Sequence, residues 1–98
     1  MQLFVCLVHY TKPLDEVLAH LDEHRAYLKK GYEEGFLLAS GPRIPKDGGI
    51  IIGKFADKNA AQAFAHNDPY TQLQLAKYEI LLFEPVLHAE ILKGFLNT

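Results

Sequence analysis

Two segments of the sequence carry side chains that could move a proton, and the first contains His24. This histidine follows Leu21 by three positions and precedes Leu28 by four, which places its imidazole on or beside the apolar face of a helix. Imidazole titrates near neutral pH and suits general acid–base chemistry. The same spacing is also typical of a structural histidine bonded to a carbonyl or a carboxylate. The residues alone leave both interpretations open.

Asp68 belongs to the second segment, where Pro69 and Tyr70 follow it. Aspartate before proline is typical of a helix N-cap, with the proline at the first helical position. A carboxylate held by backbone amides is also well placed to orient an imidazole and to stabilise imidazolium. The cap and the catalytic role are therefore compatible, but spacing along the chain does not pair Asp68 with His24.

Other polar residues suggest weaker alternatives. His20 lies one helical turn before His24, but no third ligand at a recognisable spacing accompanies the two, so we expect no metal site. Ser40, Gly41 and Pro42 form either a chain turn or a pocket wall, since glycine allows a ligand to approach the backbone. Ser40 is not expected to be a nucleophile because no G-x-S-x-G elbow surrounds it.

Tyrosines and the one cysteine complete the set of candidates. Tyr10, Tyr27 and Tyr70 could line a pocket, but core packing is the safer expectation for any one of them. Cys6 lies within an apolar, strand-like run. We therefore expect a buried, inert thiol.

The elements that must position these residues are read from periodicity and turn signals. A long helix is expected over Pro13–Glu34, a second after the N-cap Asp57, and a short turn from Pro69 to about Leu75. His88–Leu96 has a weak helical pattern. The predicted strands are Gln2–Tyr10, Phe36–Ser40, a segment from Ile50 to Phe55 or Ala56, and Tyr78–Phe83.

The element order is β-α-β-β-α-β, which predicts an α+β, ferredoxin-like fold with a four-stranded antiparallel sheet. Right-handed crossovers place the first and third strands at the centre and both helices on one face. These two strands are apolar on both faces. A second copy of the sheet is the simplest cover for the face without helices, so we expect a homodimer.

Composition excludes several classes of function. The 98 residues fit one domain, and a net charge of −2 does not support binding of nucleic acid. The run Ile50–Ile52 argues against an RNA-binding sheet, and no arginine loop for acylphosphatase chemistry follows the first strand. No leader-like segment or membrane-length apolar run is present, so a cytoplasmic location without membrane contact is expected.

An ordered set of motifs resembles the YciI-like (YCII-related) family over residues 1–86. The set comprises His24-x-x-Tyr27-Leu28, Gly35-x-Leu37-Leu38-x-Ser40-Gly41-Pro42, a glycine-rich turn into an apolar strand, an alanine-rich helix and Asp68-Pro69-Tyr70. The resemblance implies a ferredoxin-like domain that dimerises as a dimeric α/β barrel. It also implies that His24 and Asp68 form an active-site pair, with Gly41 and Pro42 at the pocket edge. Ser40 and Tyr70 are further candidates for substrate contact.

The resemblance implies a site more firmly than a reaction. We expect a cofactor-free isomerase, or a lyase of the elimination or dehydrohalogenation type, acting on a small cyclic or conjugated molecule. The alternative is a non-catalytic dimer that binds a metabolite or assists another enzyme. Thr71–Leu75 departs from the pattern of many relatives at the expected pocket mouth, so the ligand is not implied. Residues 87–98 extend past the usual end and are assigned to an extension that could serve assembly.

Overall fold

Four antiparallel strands form one sheet in the computed structural model, which describes residues 2–97. The predicted domain (residues 1–86) begins at Met1 and the predicted extension (residues 87–98) ends at Thr98. These two residues lie outside the described part of the chain. The strands are β1 (Leu3–Tyr10), β2 (Leu37–Pro42), β3 (Gly48–Lys54) and β4 (Ala76–Phe83), in the order β2-β3-β1-β4. The prediction of a ferredoxin-like sheet with the first and third strands at its centre is confirmed.

Strand β2 continues further than the sequence predicted, whereas β3 begins earlier and ends at Lys54, before the predicted Phe55 or Ala56. Gly41 and Pro42 were expected to end β2, but they pair with Ile50 and Gly49 of β3. Pro42 is tolerated because β2 is an edge strand, where a missing N–H costs no ladder bond. Gly48 was assigned to a turn but begins β3, and a Cβ there would lie 2.2 Å from the carbonyl oxygen of Val8. Glycine therefore allows β1 and β3 to approach each other at this point.

The predicted first helix is two helices, α1 (Leu14–Leu18) and α2 (Leu21–Glu33), so the expectation of one helix over Pro13–Glu34 is wrong. The break lies at His20, whose backbone (φ −114°, ψ 18°) departs from helical values. Its N–H donates to the carbonyl of Val17, three residues back, which tightens and ends α1. The apolar stripe continues through both helices, so periodicity could not reveal the break.

The remaining helices surround the second half of the chain. Asp57 caps α3 (Lys58–Asn67) by accepting from the N–H of Ala60 at 2.8 Å, as predicted. A short helix, α4 (Pro69–Gln72), follows at once. The C-terminal segment contains a 3₁₀ turn at Glu90–Leu92 and the helix α5 (Lys93–Leu96). No helix within residues 2–97 combines the length and apolar character needed to span a membrane.

The two faces of the sheet have different surroundings. On one face, Phe4, Cys6 and Val8 of β1 are buried in the core, where the helices contribute Val17, Leu28 and Phe64. Burial raises the pKa of the Cys6 thiol to about 11, which suits the inert role expected for it. On the other face, Val5 pairs with Leu81 and Leu3 with Phe83, and the side chains of Leu81 and Phe83 are about half exposed.

Candidate active site

His24 and Asp68 meet between α2 and the start of α4. The Nδ1–H of His24 donates to Oδ1 of Asp68 at 2.9 Å, although 44 positions separate them in the chain. The imidazole is 12% exposed and the carboxylate is fully buried. Because a carboxylate only accepts, Nδ1 carries the proton in this pair. The nitrogen that remains for a ligand is therefore Nε2.

Asp68 receives two further hydrogen bonds that fix its position. Its Oδ1 accepts from the backbone N–H of Tyr70 at 3.0 Å, which is the N-cap predicted for α4, with Pro69 at the first helical position. Its Oδ2 accepts from the hydroxyl of Tyr78 at 2.5 Å. A carboxylate that is held by three donors cannot rotate freely, so it holds the His24 ring in one orientation.

The ring of Tyr70 fixes the other side of the histidine. The two rings are stacked, with centroids 4.0 Å apart and planes 2° from parallel. Tyr70 is 1% exposed, and within the described residues its hydroxyl has no hydrogen-bond partner. Tyr10 meets Tyr70 edge-on, with centroids 6.1 Å apart. His24 is thus oriented by a carboxylate at its edge and an aromatic ring on its face.

Buried phenols next to Asp68 stay protonated at neutral pH. Burial, followed by the charge of Asp68, raises the pKa of Tyr78 far above its usual range, so this hydroxyl remains a hydrogen-bond donor. Burial also raises the pKa of Tyr27 to about 12. The hydroxyl of Tyr27 donates to the carbonyl of Phe64 at 2.7 Å, which joins α2 to α3 rather than to the site.

A cavity of about 300 Å³ lies between the sheet and the two N-terminal helices, and His24 and Tyr70 form part of its wall. This volume lies at the lower end of the range for small-molecule pockets. The charged residues of the lining are Arg25 and Lys46. Most of the remaining lining is apolar and comprises Val8, Leu14, Leu18, Leu21, Leu28, Ile50 and Ile51, with Tyr10, Ser40, Gly41, Pro42 and Gly49.

The residues expected at the pocket edge do line the cavity, but they differ in the hydrogen-bonding groups that remain available to a ligand. Ser40, Gly41 and Pro42 all contribute to the wall. The hydroxyl of Ser40 lies 2.5 Å from that of Tyr32, so it already has a partner. Asp68 does not line the cavity and lies behind His24. The roles of these residues in binding or catalysis stay predictions.

Sequence reasoning missed Tyr78 and the two cations of the cavity. Tyr78 was assigned only to a strand, and nothing in its local sequence indicates a bond to a carboxylate ten residues earlier. Arg25 did give a signal, because the apolar stripe between Leu21 and Leu28 predicts an aliphatic residue at position 24 or 25, and the sequence has His24 and Arg25 instead. Lys46 lies in a polar loop, and only the folded hairpin brings it to the cavity.

The sequence also raised the alternative of a metal site formed by His20 and His24. In the structure, His20 contacts a different residue. Its Nδ1 lies 2.9 Å from Oε1 of Glu23, on the exposed side of α2. Across residues 2–97, no group of three or more His, Cys, Asp or Glu side chains is placed to hold a metal ion. His24 is engaged with Asp68 instead.

The chain is similar to known proteins in its sequence and in its fold. A family model described as the YCII-related domain matches residues 2–84. No curated protein was found to match the sequence. The structure is similar to that of 5-chloro-2-hydroxyhydroquinone dehydrochlorinase (TftG) from Burkholderia phenoliruptrix AC1100, in complex with 2,5-dihydroxybenzoquinone. The TM-score is 0.70 at 17% identity, covering 93% of this chain and 98% of that one. An MhuD variant with two manganese protoporphyrin IX molecules per active site gives a TM-score of 0.46 at 14% identity, covering 91% and 98%.

Proposed function

We propose that this chain, which belongs to the YCII-related family, is an enzyme that moves a proton on a small organic molecule, with His24 as its acid–base residue. The membership agrees with the resemblance drawn from the sequence motifs. The observation that carries the proposal is the hydrogen bond from His24 Nδ1 to the buried Asp68, at the wall of a cavity of about 300 Å³. A positioned imidazole beside a pocket is the minimum equipment for isomerisation or elimination.

In the proposed mechanism, the neutral imidazole accepts a proton from the substrate at Nε2. The electron pair of the broken C–H or O–H bond then forms a new double bond. In an elimination the leaving group departs with its own electron pair and the imidazolium then releases its proton to water. In an isomerisation the imidazolium returns the proton at another carbon. Neither reaction needs a cofactor or metal in this scheme, because the imidazole both accepts and releases the proton.

Asp68 and Tyr78 are assigned supporting roles. Asp68 keeps the proton of His24 on Nδ1, so that Nε2 is free to accept, and its charge stabilises the imidazolium that forms. Tyr78 is a positioning residue, because its hydroxyl touches Asp68 rather than the cavity. Four residues are proposed to contact the substrate because all of them line the cavity: Ser40, Gly41, Pro42 and Tyr70.

An elimination is the first reaction to test. The similar structure is that of a dehydrochlorinase, a protein of this fold whose reaction removes hydrogen chloride. At 17% identity the similarity extends to the fold, so the reaction is brought to this chain as a proposal. It supports the choice of a halogenated hydroquinone as the first compound to assay.

The proposal includes a homodimer, located in the cytoplasm, in which a second copy covers the sheet face opposite α2 and α3. Leu81 and Phe83 are about half exposed on this face, beside the strand pairs of β1. A charge placed there would have to be buried on association. We therefore expect wild-type protein to sediment as a dimer and Leu81→Lys as a folded monomer. A wild-type monomer at micromolar concentration would remove this part of the proposal.

The catalytic proposal is tested by incubating the protein in D₂O with 5-chloro-2-hydroxyhydroquinone and with a panel of small cyclic enones. Halide release and incorporation of deuterium at carbon are measured. His24→Gln is expected to lower the rate by roughly 10²- to 10⁴-fold. His20→Gln is the matched control, since His20 precedes the same helix but points to Glu23, and it should keep the wild-type rate.

The alternative, a non-catalytic dimer that binds a metabolite or assists another enzyme, predicts a different result from the same panel. Compounds would bind at the cavity, and their binding would shift the NMR signals of His24 and Tyr70. Neither halide release nor deuterium incorporation would exceed the uncatalysed rate. Such binding without turnover would overturn the catalytic proposal and leave the cavity as a binding site.

A further inference from the structure

The cavity wall has an asymmetric charge that the acid–base pair does not explain. Arg25 and Lys46 line it, and none of the described lining residues is an aspartate or a glutamate. This contrasts with the chain as a whole, whose net charge is −2. Asp68, the buried carboxylate among the described residues, already accepts hydrogen bonds from His24, Tyr70 and Tyr78.

Neither cation is neutralised by the protein itself. Within residues 2–97, the ion pairs formed by side chains are His9–Glu79, His20–Glu23, His24–Asp68 and Arg43–Asp47. Arg25 and Lys46 are in none of them. Both residues are free to pair with a charge that enters the cavity.

Tyr70 provides a second, independent observation. Its side chain is 1% exposed and belongs to the cavity wall, yet within the described residues its hydroxyl has no hydrogen-bond partner. An unpaired buried hydroxyl is unfavourable, and buried polar groups in proteins normally have a partner. Burial, Tyr10 and Asp68 raise the pKa of Tyr70 to about 12, while Arg25 opposes this shift, so the guanidinium acts on the same hydroxyl. The phenol stays protonated and can donate to an oxygen anion.

We propose that the cavity binds a small organic anion, and that Arg25, Lys46 and the hydroxyl of Tyr70 hold its charged oxygen. The aliphatic lining holds the carbon skeleton, and the volume of about 300 Å³ suits a single ring or a chain of similar size. Carboxylates and acidic phenols supply the same chemistry, a delocalised oxygen anion that accepts from donors. This inference rests on the proposed function, because it assigns the substrate class of the same site.

The stacking of Tyr70 on His24 links the anion site to the chemistry. The ring that contacts the imidazole at a centroid distance of 4.0 Å is also the ring that carries the unpaired hydroxyl. An anion that accepts from the hydroxyl of Tyr70 is therefore held by a residue that directly contacts His24, the proposed proton acceptor. When a proton leaves the substrate, negative charge develops beside the same cations, which stabilise it.

Binding of benzoate and of 4-nitrophenolate, followed by NMR chemical shifts, tests the inference. Benzamide is the uncharged counterpart of benzoate. We expect saturable shifts for His24, Arg25 and Tyr70 with both anions, and binding of benzamide at least tenfold weaker. Arg25→Gln and Lys46→Gln should each weaken benzoate binding by roughly three- to tenfold, and Tyr70→Phe should weaken it in the same direction. Lys29→Gln removes one exposed charge from α2 outside the cavity and should leave binding unchanged.

The outcomes separate this inference from the proposed function. Equal binding of benzoate and benzamide, or no saturable binding of either anion, would overturn the inference. So would wild-type affinity in both Arg25→Gln and Lys46→Gln. The preference for benzoate over benzamide should persist in His24→Gln, which lacks the acid–base residue. Absence of turnover in the wild-type protein, together with a preference for benzoate, would therefore refute catalysis alone. Wild-type turnover without any preference would refute the anion site alone.

Discussion

The hydroxyl of Tyr78 lies 2.5 Å from Oδ2 of Asp68, on the carboxylate oxygen that His24 does not use. The two oxygens of one buried carboxylate thus hold a residue of β4 and a residue of α2. This relationship joins the sheet to the helix that carries the imidazole. It makes Tyr78 a positioning residue that no local pattern in the sequence indicates.

Tyr78→Phe tests this positioning role. Removing the hydroxyl leaves Asp68 with one donor fewer, and a hydrogen bond to a charged group contributes about 1.5–3 kcal/mol. We expect the free energy of unfolding in urea to fall by about that amount and the NMR signal of His24 Nδ1–H to shift. Tyr27→Phe is the matched control, because its hydroxyl donates to the carbonyl of Phe64 and not to Asp68. It should lower stability without moving the His24 signal, and equal His24 shifts in both variants would contradict the assignment.

Asp68→Asn separates the two roles of this aspartate. Asparagine still accepts the N–H of Tyr70 as a helix cap, but it lacks the charge that stabilises imidazolium. We expect a folded protein whose turnover is lower by roughly 10²- to 10⁴-fold. Asp57→Asn changes a cap of the same kind at α3, far from His24 in the chain, and should keep the wild-type rate. Comparable loss in both variants would mean that capping alone explains the effect.

Two glycine substitutions test the close approach of β1 to β3 at the start of β3. A Cβ at Gly48 would lie 2.2 Å from the carbonyl oxygen of Val8, so Gly48→Ala is expected to lower the free energy of unfolding by about 3 kcal/mol or more. A Cβ at Gly41 would meet no atom within 4 Å, so Gly41→Ala should change stability by less than about 0.5 kcal/mol. Urea denaturation measures both. A stable Gly48→Ala variant would show that β1 and β3 are paired differently.

Much of this fold could be predicted from the sequence because its strands and caps have local signals. The apolar run in Gln2–Tyr10, the isoleucine run and the Asp57 cap each follow from neighbouring residues. The helix break at His20 and the extension of β2 through Pro42 could not, because an i−3 hydrogen bond and an edge position depend on the folded backbone. For the same reason, spacing could place His24 on a helix but could not find Asp68 or Tyr78 beside it.

Alkaline pH should destabilise the protein in a defined window. Burial raises the pKa of Tyr27 and Tyr70 to about 12, whereas an unfolded tyrosine ionises near pH 10. Above about pH 10 the unfolded chain therefore releases protons that the native state retains, and stability falls as the pH rises towards about 12. Cys6, whose pKa is raised to about 11, acts in the same direction. Urea midpoints should be lower at about pH 11 than at about pH 8, and an equal or higher midpoint would contradict the assigned burial.

The central claim is that Asp68 holds the proton of His24 on Nδ1 and leaves Nε2 free to accept one. Nitrogen-15 NMR of the imidazole at a pH where it is neutral measures this most directly. We predict that wild-type His24 is the Nδ1–H tautomer, with a slowly exchanging proton, and that Asp68→Ala, which removes the acceptor at Nδ1, shifts the population towards Nε2–H. A wild-type ring protonated on Nε2 could not accept a proton from the cavity, and that result would contradict the proposed mechanism.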